Sequence, residues 1–242
     1  MGKLKVFETF AGYGGASFGL QLAKIPHKVV GYSEWDKYAI ELFEANHPGI
    51  PLFPSNSGDI TKIKETDLPD FDLFTGGFPC QPFSSAGLGG GELDIRGSLF
   101  YDILRIVSHK LPKHILLENV KGLTHKKHKP TLERIISELE KLGYQVFKQV
   151  LNTKDYGVPQ NRERLWIYAR LNGELPIDWE IDPGKIDIGK TRIKNFLDIK
   201  PDENLWLNDS QINRLIEKHN VDLNVNEPLC LDIYNKKIKQ DG

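Results

Sequence analysis

The sequence predicts an α/β fold built on a doubly wound, mostly parallel sheet. Three observations lead there. Over roughly the first two-thirds of the chain, short apolar runs alternate with helical patterns, the signature of stacked strand–helix units. A glycine-rich turn, Gly12-Tyr13-Gly14-Gly15, separates the first apolar run from the first helical one. Polar and reactive residues gather just after the apolar runs, at the strand ends where such sheets bind ligands.

Each element follows from its own pattern. Leu4 to Phe10 reads as a strand and Ala16 to Leu22 as the start of a helix. Lys28 to Ser33 is a second strand and Lys37 to Asn46 a helix. A short strand is expected to end at Gly58-Asp59-Ile60, and another, Asp72 to Thr75, to end in Gly76-Gly77. Leu99 to Ser108 has helical apolar spacing through Leu99, Ile103, Ile106 and Val107. His114 to Leu117 is a buried strand ending at Glu118. Thr131 to Leu142 places Leu132, Ile135, Ile136 and Leu139 on one helical face. Tyr144 to Leu151 and Leu165 to Ala169 read as late strands. After about Arg170 Pro, Asp and Gly become frequent, one short helix is expected over Ser210 to His219, and Tyr234 to Gly242 reads as a polar stretch that closes no core. The expected division is therefore a catalytic domain over 1–170 and an extension over 171–242.

Composition narrows the function classes. With 242 residues, 39% of them hydrophobic, the chain can bury one large core. Its net charge of -1 gives no global signal for nucleic acid, so a nucleic-acid surface has to be local. Two cysteines, Cys80 and Cys230, do not make a disulfide framework and fit a reducing compartment. No apolar run reaches the roughly 18 residues of a membrane span. The first residues run straight into a strand pattern without a signal-peptide layout, so a cytoplasmic protein is expected.

The early strand ends suit a nucleoside-containing cofactor. Phe10-Ala11-Gly12-Tyr13-Gly14-Gly15 follows a strand and opens a helix, and glycines there let the main chain approach a ligand closely. Glu34, after the second strand, is placed to accept from ribose hydroxyls, Trp35 to lie against an adenine ring, and Asp59 to accept from the adenine amino group. The loop lacks the glycine spacing that favours a dinucleotide pyrophosphate, which points away from NAD. The alternative is a glycine turn that only packs helix on strand.

The later strand ends suit covalent chemistry. Cys80 stands between Pro79 and Pro82 in Gly76-Gly77-Phe78-Pro79-Cys80-Gln81-Pro82-Phe83-Ser84, a restricted backbone that does not suit a core thiol. Its thiolate would be the nucleophile, helped by nearby positive charge. Partial burial behind Ile115-Leu116-Leu117 is expected to raise the Glu118 carboxyl towards proton sharing; the alternative is a helix cap. Arg162 and Arg164 alternate on an extended segment, free to hold Glu118, a base carbonyl or a phosphate, or to pair with Glu163 on the surface. The run Lys121 to Lys129 is either a phosphate-facing patch or a solvated helix start.

Together these motifs resemble the cytosine-C5 DNA methyltransferase family. Phe10-Ala11-Gly12-x-Gly14-Gly15, Glu34-Trp35, Gly58-Asp59-Ile60, Gly77 to Ser84, Arg96-Gly97-Ser98-Leu99-Phe100, Glu118-Asn119-Val120 and Gln160-x-Arg162-x-Arg164 are similar to its motifs in its order, over roughly residues 4 to 170. The resemblance implies a Rossmann-like methyltransferase fold that uses S-adenosyl-L-methionine, releases S-adenosyl-L-homocysteine and needs no metal. It implies Cys80 as nucleophile, Glu118, Arg162 and Arg164 as its catalytic company, and Phe10, Ala11, Gly12, Gly14, Gly15, Glu34, Trp35, Asp59, Ile60 and Pro79 as the cofactor site. Gln81, Ser84, Ser85 and Arg96 would contact duplex DNA, with Ser84 to Arg96 as a loop closing on a flipped-out cytosine. A prokaryotic or phage restriction-modification role is the natural setting.

Past residue 170 the family's target-recognition region and last motifs are not found. A second polypeptide carrying them, or a truncation, is expected, with incomplete DNA recognition and a weakened cofactor pocket in this chain alone. A tRNA cytosine-C5 methyltransferase and an inactive cofactor-binding fragment are the competing readings.

Overall fold

A computed structural model describes residues 2–79, 99–158, 160–173, 208, 210–211, 213–214, 217, 229–232 and 237–240. The chain divides into two compact units, Met1–Asn152 with Glu163–Asp182, and Thr153–Arg162 with Pro183–Gly242.

The first unit carries a six-stranded sheet. Its strands are β1 (Leu4–Thr9), β2 (His27–Ser33), β3 (Leu73–Gly77), β4 (His114–Val120), β5 (Tyr144–Asn152) and β6 (Glu163–Leu171), in spatial order β2-β1-β3-β4-β6-β5. β2, β1, β3 and β4 run parallel, while β6 pairs antiparallel with both β4 and β5. The doubly wound, mostly parallel sheet expected from the sequence is thus present, with one reversed strand set into it.

Helices α1 (Gly15–Leu22), α2 (Lys37–Asn46), α3 (Leu99–Lys110) and α4 (Lys129–Lys141) cover this sheet. α2 starts where the Asp36 carboxylate accepts from the Ala39 N–H at 2.9 Å. α3 buries Phe100, Ile103, Ile106 and Val107, and α4 buries Leu132, Ile135 and Leu139, spacings that make one apolar stripe on each helix. Both stripes join the main core with Phe7, Phe74, Ile115, Leu117, Leu165 and Ile167. Glu8 alternates with Phe7 and so faces the opposite side, where its buried carboxylate accepts from the Ser17 hydroxyl of α1. Tyr32 and Phe43 stack 3.8 Å apart in a second, smaller cluster.

One expectation is corrected here. No strand ends at Asp59. Leu52 makes one isolated parallel bridge to Tyr32, and Pro51 and Pro54, which lack N–H groups, stop that pairing from propagating. Asp59 instead caps a short 3-10 turn over Ile60–Lys62. In the second unit the described residues near the end of the sequence form an antiparallel pair, β7 (Leu229–Asp232) with β8 (Lys237–Gln240). The described residues between 210 and 217 are helical, as expected. No helix among the described residues is long and apolar enough to cross a membrane.

Candidate active site

The turn after β1 is held by one carboxylate. Glu34 Oε2 accepts from the Gly12 N–H at 3.0 Å, and Glu34 Oε1 accepts from the N–H groups of Trp35 and Asp36 at 2.9 and 3.0 Å. The turn needs this clip because its backbone is unusual. Phe10, Gly12 and Gly14 all have positive φ (52°, 55° and 89°), and Phe10 bears a side chain there. The Ala11 N–H donates to the Ser33 carbonyl at 3.3 Å, and the Gly14 N–H donates to the Ala11 carbonyl at 2.9 Å. A Cβ on Gly14 would collide with the His47 ring, whereas one on Gly12 would meet nothing within 4 Å. The turn is therefore packed beneath Gly14 and open above Gly12.

The neighbouring candidates take different positions. Gly15 begins α1. The Trp35 side chain is 79% exposed, presenting an aromatic face beside Glu34. Asp59 accepts from the Thr61 N–H and hydroxyl at 3.0 and 2.8 Å and pairs with Lys62 at 3.2 Å. Burial works to raise its carboxyl, but these partners outweigh burial and hold it below the usual carboxylate range. Ile60 is buried in the main core, so only its main chain is available to a ligand.

Sequence reasoning missed what fixes this segment. Arg105, on α3, donates to the Ile63 carbonyl at 2.6 Å and the Ile60 carbonyl at 3.0 Å, and pairs with Glu65 and with Asp102. An arginine on an amphipathic helix reads as solvent-facing, so no pattern flagged it.

The second group of candidates lies where β3, β4 and β6 meet. Glu118, near the end of β4, is paired by register with Gly77 of β3 and Trp166 of β6. Arg164 is the second residue of β6 rather than part of a segment before it. Its Nε lies 2.7 Å from Glu118 Oε1, with both side chains 24% exposed. Of the four partners left open for the arginines, the structure places Arg164 on Glu118. Glu163 pairs instead with Lys121 at 2.8 Å. Arg162 lies in the second unit, where its carbonyl accepts from the Thr153 N–H at 3.1 Å.

Pro79 is exposed, directly after the buried Phe78. Cys80, Gln81, Ser84, Ser85 and Arg96 lie outside the described residues. Asn119, part of a quoted motif but assigned no role, is buried and donates from Nδ2 to the Phe78 carbonyl at 3.0 Å. His125, Lys126, Lys127 and Lys129 are exposed just beyond β4, with the buried Leu123 and Thr131 anchoring the segment at either side.

The site thus has one acid after β2 that clips a glycine turn and one near the end of β4 that is held by an arginine. The model of the C-5 cytosine-specific DNA methylase family matches residues 4–239. The chain belongs to this family. The match to the C-5 cytosine methylase model runs on to residue 239, past the residue 170 where motif reading stops, because the later segment holds no short, dense motif. The chain is 40% identical over 205 residues to the type II methyltransferase M.NlaX of Neisseria lactamica, covering 85% of this chain and 63% of that protein. It is 45% identical over 179 residues to M.HaeII of Haemophilus aegyptius, covering 73% of this chain and 54% of that protein. Among solved structures it is similar to the Dnmt2 methyltransferase of S. pombe, with a TM-score of 0.68 and 30% identity, covering 88% of this chain and 66% of that one. This C-5 cytosine methylase chain therefore spans less than two-thirds of the length of these relatives.

Proposed function

We propose that this chain carries the catalytic part of a DNA cytosine-C5 methyltransferase of a prokaryotic or phage modification system. The observation that carries the reading is the Glu118–Arg164 pair, set across β4 and β6 beside the Gly77-Phe78-Pro79 segment that leads into Cys80.

The early strand ends fit a nucleoside-bearing sulfonium such as S-adenosyl-L-methionine. The space above Gly12 is open, Glu34 is fixed beside it, and the exposed Trp35 offers a stacking face. Phe10, Ala11, Gly14 and Gly15 shape the turn, and Asp59, the Ile60 main chain and Pro79 complete the set assigned to the cofactor. When bound, this cofactor supplies an electrophilic methyl group and leaves as S-adenosyl-L-homocysteine.

The chain's own residues do the rest. Cytosine C5 is a weak nucleophile. The Cys80 thiolate adds to C6, forming a C–S bond, and the displaced electron pair makes C5 enamine-like. Negative charge develops on the ring near N3 and O2, where Glu118 holds the N3 and exocyclic amine edge through hydrogen bonds. Arg164 keeps Glu118 in place, and Arg162 is assigned to the same reaction. After C5 takes the methyl group, water accepts the C5 proton, the C5–H electron pair re-forms the C5–C6 double bond, and the C6–S bond breaks to release the Cys80 thiolate. A stacked base is beyond the reach of this geometry, so the cytosine has to be flipped out. Gln81, Ser84, Ser85 and Arg96 are assigned to DNA contacts, Ser84 to a backbone phosphate, and Lys126 and Lys127 to neighbouring phosphates.

The division of labour is 1–170 for chemistry and 171–242 leading towards target recognition. The remaining length seen in the relatives would come from a second polypeptide or a longer form of this chain. The test is transfer of labelled methyl from S-adenosyl-L-methionine to mixed-sequence duplex DNA, with tRNA as the competing acceptor. Incorporation into DNA that disappears in Cys80→Ala supports the reading. Incorporation into tRNA alone, or label that survives in Cys80→Ala, sinks it.

A further inference from the structure

Residues 53–72, between the Tyr32–Leu52 bridge and β3, join no strand ladder, yet they carry Asp59 and Ile60. Their main chain is held from two sides. Upstream of Asp59, the Ser33 hydroxyl at the end of β2 donates to the Gly58 carbonyl at 2.7 Å. A Cβ on Gly58 would strike the Glu34 carbonyl oxygen, so these two main chains touch and Asp59 follows directly on that contact. Downstream of Asp59, the hold comes from α3. Arg105 Nη2 donates to the Ile60 carbonyl at 3.0 Å and Nη1 to the Ile63 carbonyl at 2.6 Å. Farther along, Lys110 Nζ donates to the Leu68 carbonyl at 2.5 Å.

Arg105 does more here than offset charge. Asp102 accepts from its Nη2 at 3.2 Å and Glu65 accepts from its Nη1, so each nitrogen is shared between one carboxylate and one carbonyl. The two carboxylates aim the half-buried guanidinium, and its planar fork then fixes both carbonyls in one geometry, which a lysine ammonium does not do. The Ile60 and Ile63 side chains are buried in the main core. Packing thus sets the depth of the segment, and the fork sets the course of its main chain.

We infer that Arg105 is a positioning residue for recognition of the cofactor's base. By holding the Ile60 carbonyl it fixes Asp59, one residue upstream, against the adenine edge. The inference rests on the proposed reading of Asp59 and the Ile60 main chain as adenine contacts. An ionised carboxylate only accepts hydrogen bonds, and the partners of Asp59 hold its carboxyl below the usual range. It therefore favours a base with an amino group at that edge over one with a carbonyl. The size of that preference depends on how firmly the acid is placed.

The test compares S-adenosyl-L-homocysteine with S-inosyl-L-homocysteine, whose base has a carbonyl where adenine has the amine, by calorimetry on the full chain. The parent should prefer the adenosyl form by about 30-fold. Arg105→Met keeps the apolar stem and loses every donor. It should bind the adenosyl form about 10-fold more weakly and the inosyl form within about twofold of the parent, so that most of the preference disappears. Arg105→Lys keeps the charge without the fork, should lose at least about threefold of the preference, and decides the matter where the methionine variant lowers the thermal midpoint too far. Amide hydrogen exchange should rise in the peptide spanning 58–68 and stay unchanged in peptides from α1 and β5. A preference within about twofold of the parent's in both variants overturns the inference, whether neither ligand weakens or both weaken together, the second marking general damage. Unchanged exchange in 58–68 also overturns it. A parent chain that binds the two forms alike defeats the adenine reading of Asp59 itself, and the exchange data then show whether the clamp exists without the recognition.

Discussion

Two acids stand at strand ends of the same sheet, and they are held in opposite ways. Glu34 accepts three main-chain N–H groups, from Gly12, Trp35 and Asp36, all neutral and all fixed by the backbone. Glu118 is held by a guanidinium on a neighbouring strand, at 2.7 Å. The first arrangement shapes a loop; the acid is a part of the backbone's hydrogen bonding. The second gives the acid a counter-ion from across the strand boundary. Under the proposed function the first carboxylate serves binding and the second serves chemistry.

The comparison predicts that variants separate by what they lose. Cys80→Ala should abolish methyl transfer, by more than about 1,000-fold, while cofactor binding measured by calorimetry survives. Glu118→Gln should cut the rate of adduct formation by about 100- to 1,000-fold, again with cofactor affinity retained. If Glu118→Gln instead weakens cofactor binding as much as it slows the reaction, the division between the two acids fails. Glu34→Ala should show the reverse pattern, weakening S-adenosyl-L-methionine binding by about 10- to 100-fold through the collapse of three hydrogen bonds, with a smaller effect on the saturated rate.

A subtler effect sharpens the boundary of the chemical end. Joint replacement of Lys126 and Lys127 by alanine should reduce the slope of log binding constant against log salt by about 2 for duplex DNA, leaving the saturated rate intact. An unchanged slope would return this stretch to the solvated-face reading. The smallest expected effect concerns Glu8. Burial pushes its carboxyl up, in spite of hydrogen bonds from Ser17 and the Ala16 N–H. A proton held more firmly in the folded chain stabilises the fold fully below the unfolded value of 4.5, and that contribution is lost as pH rises through the raised value. Thermal midpoints of the parent chain should therefore decline as pH rises from 4.5 to the raised value, and Glu8→Gln should flatten that decline.

The legibility of these features in the sequence follows their physical origin. Lys37–Asn46 is the helix the spacing predicts, because Asp36 marks its start and its pattern is local. The strand centres at Val29, Ile115 and Ile167 are plain because buried strands need continuous apolar runs. Arg164 reads as lying before its strand because a charged residue at a strand start carries no apolar signal, although it is already paired in register with Val120. The Asp59 segment misleads for the opposite reason, since its apolar Leu52 and Phe53 lie between prolines that deny them a ladder. Asn119 and Arg105 act through long-range hydrogen bonds to carbonyls 41 to 45 residues away, and no periodicity encodes such a partner. The glycine turn and Glu34 are legible as residues, but the N–H groups that Glu34 accepts become known only from the fold.

The reversed strand β6 carries one more implication. It lies between β4 and β5, so until it docks, the hydrogen-bonding edge of β4 is bare along residues Ile115 to Leu117, an apolar segment well suited to pairing with another chain. The same strand brings Arg164 to Glu118. A chain lacking residues 163–171 would thus present that edge and lose the partner of Glu118 together. One strand both covers that edge and completes the charge pair.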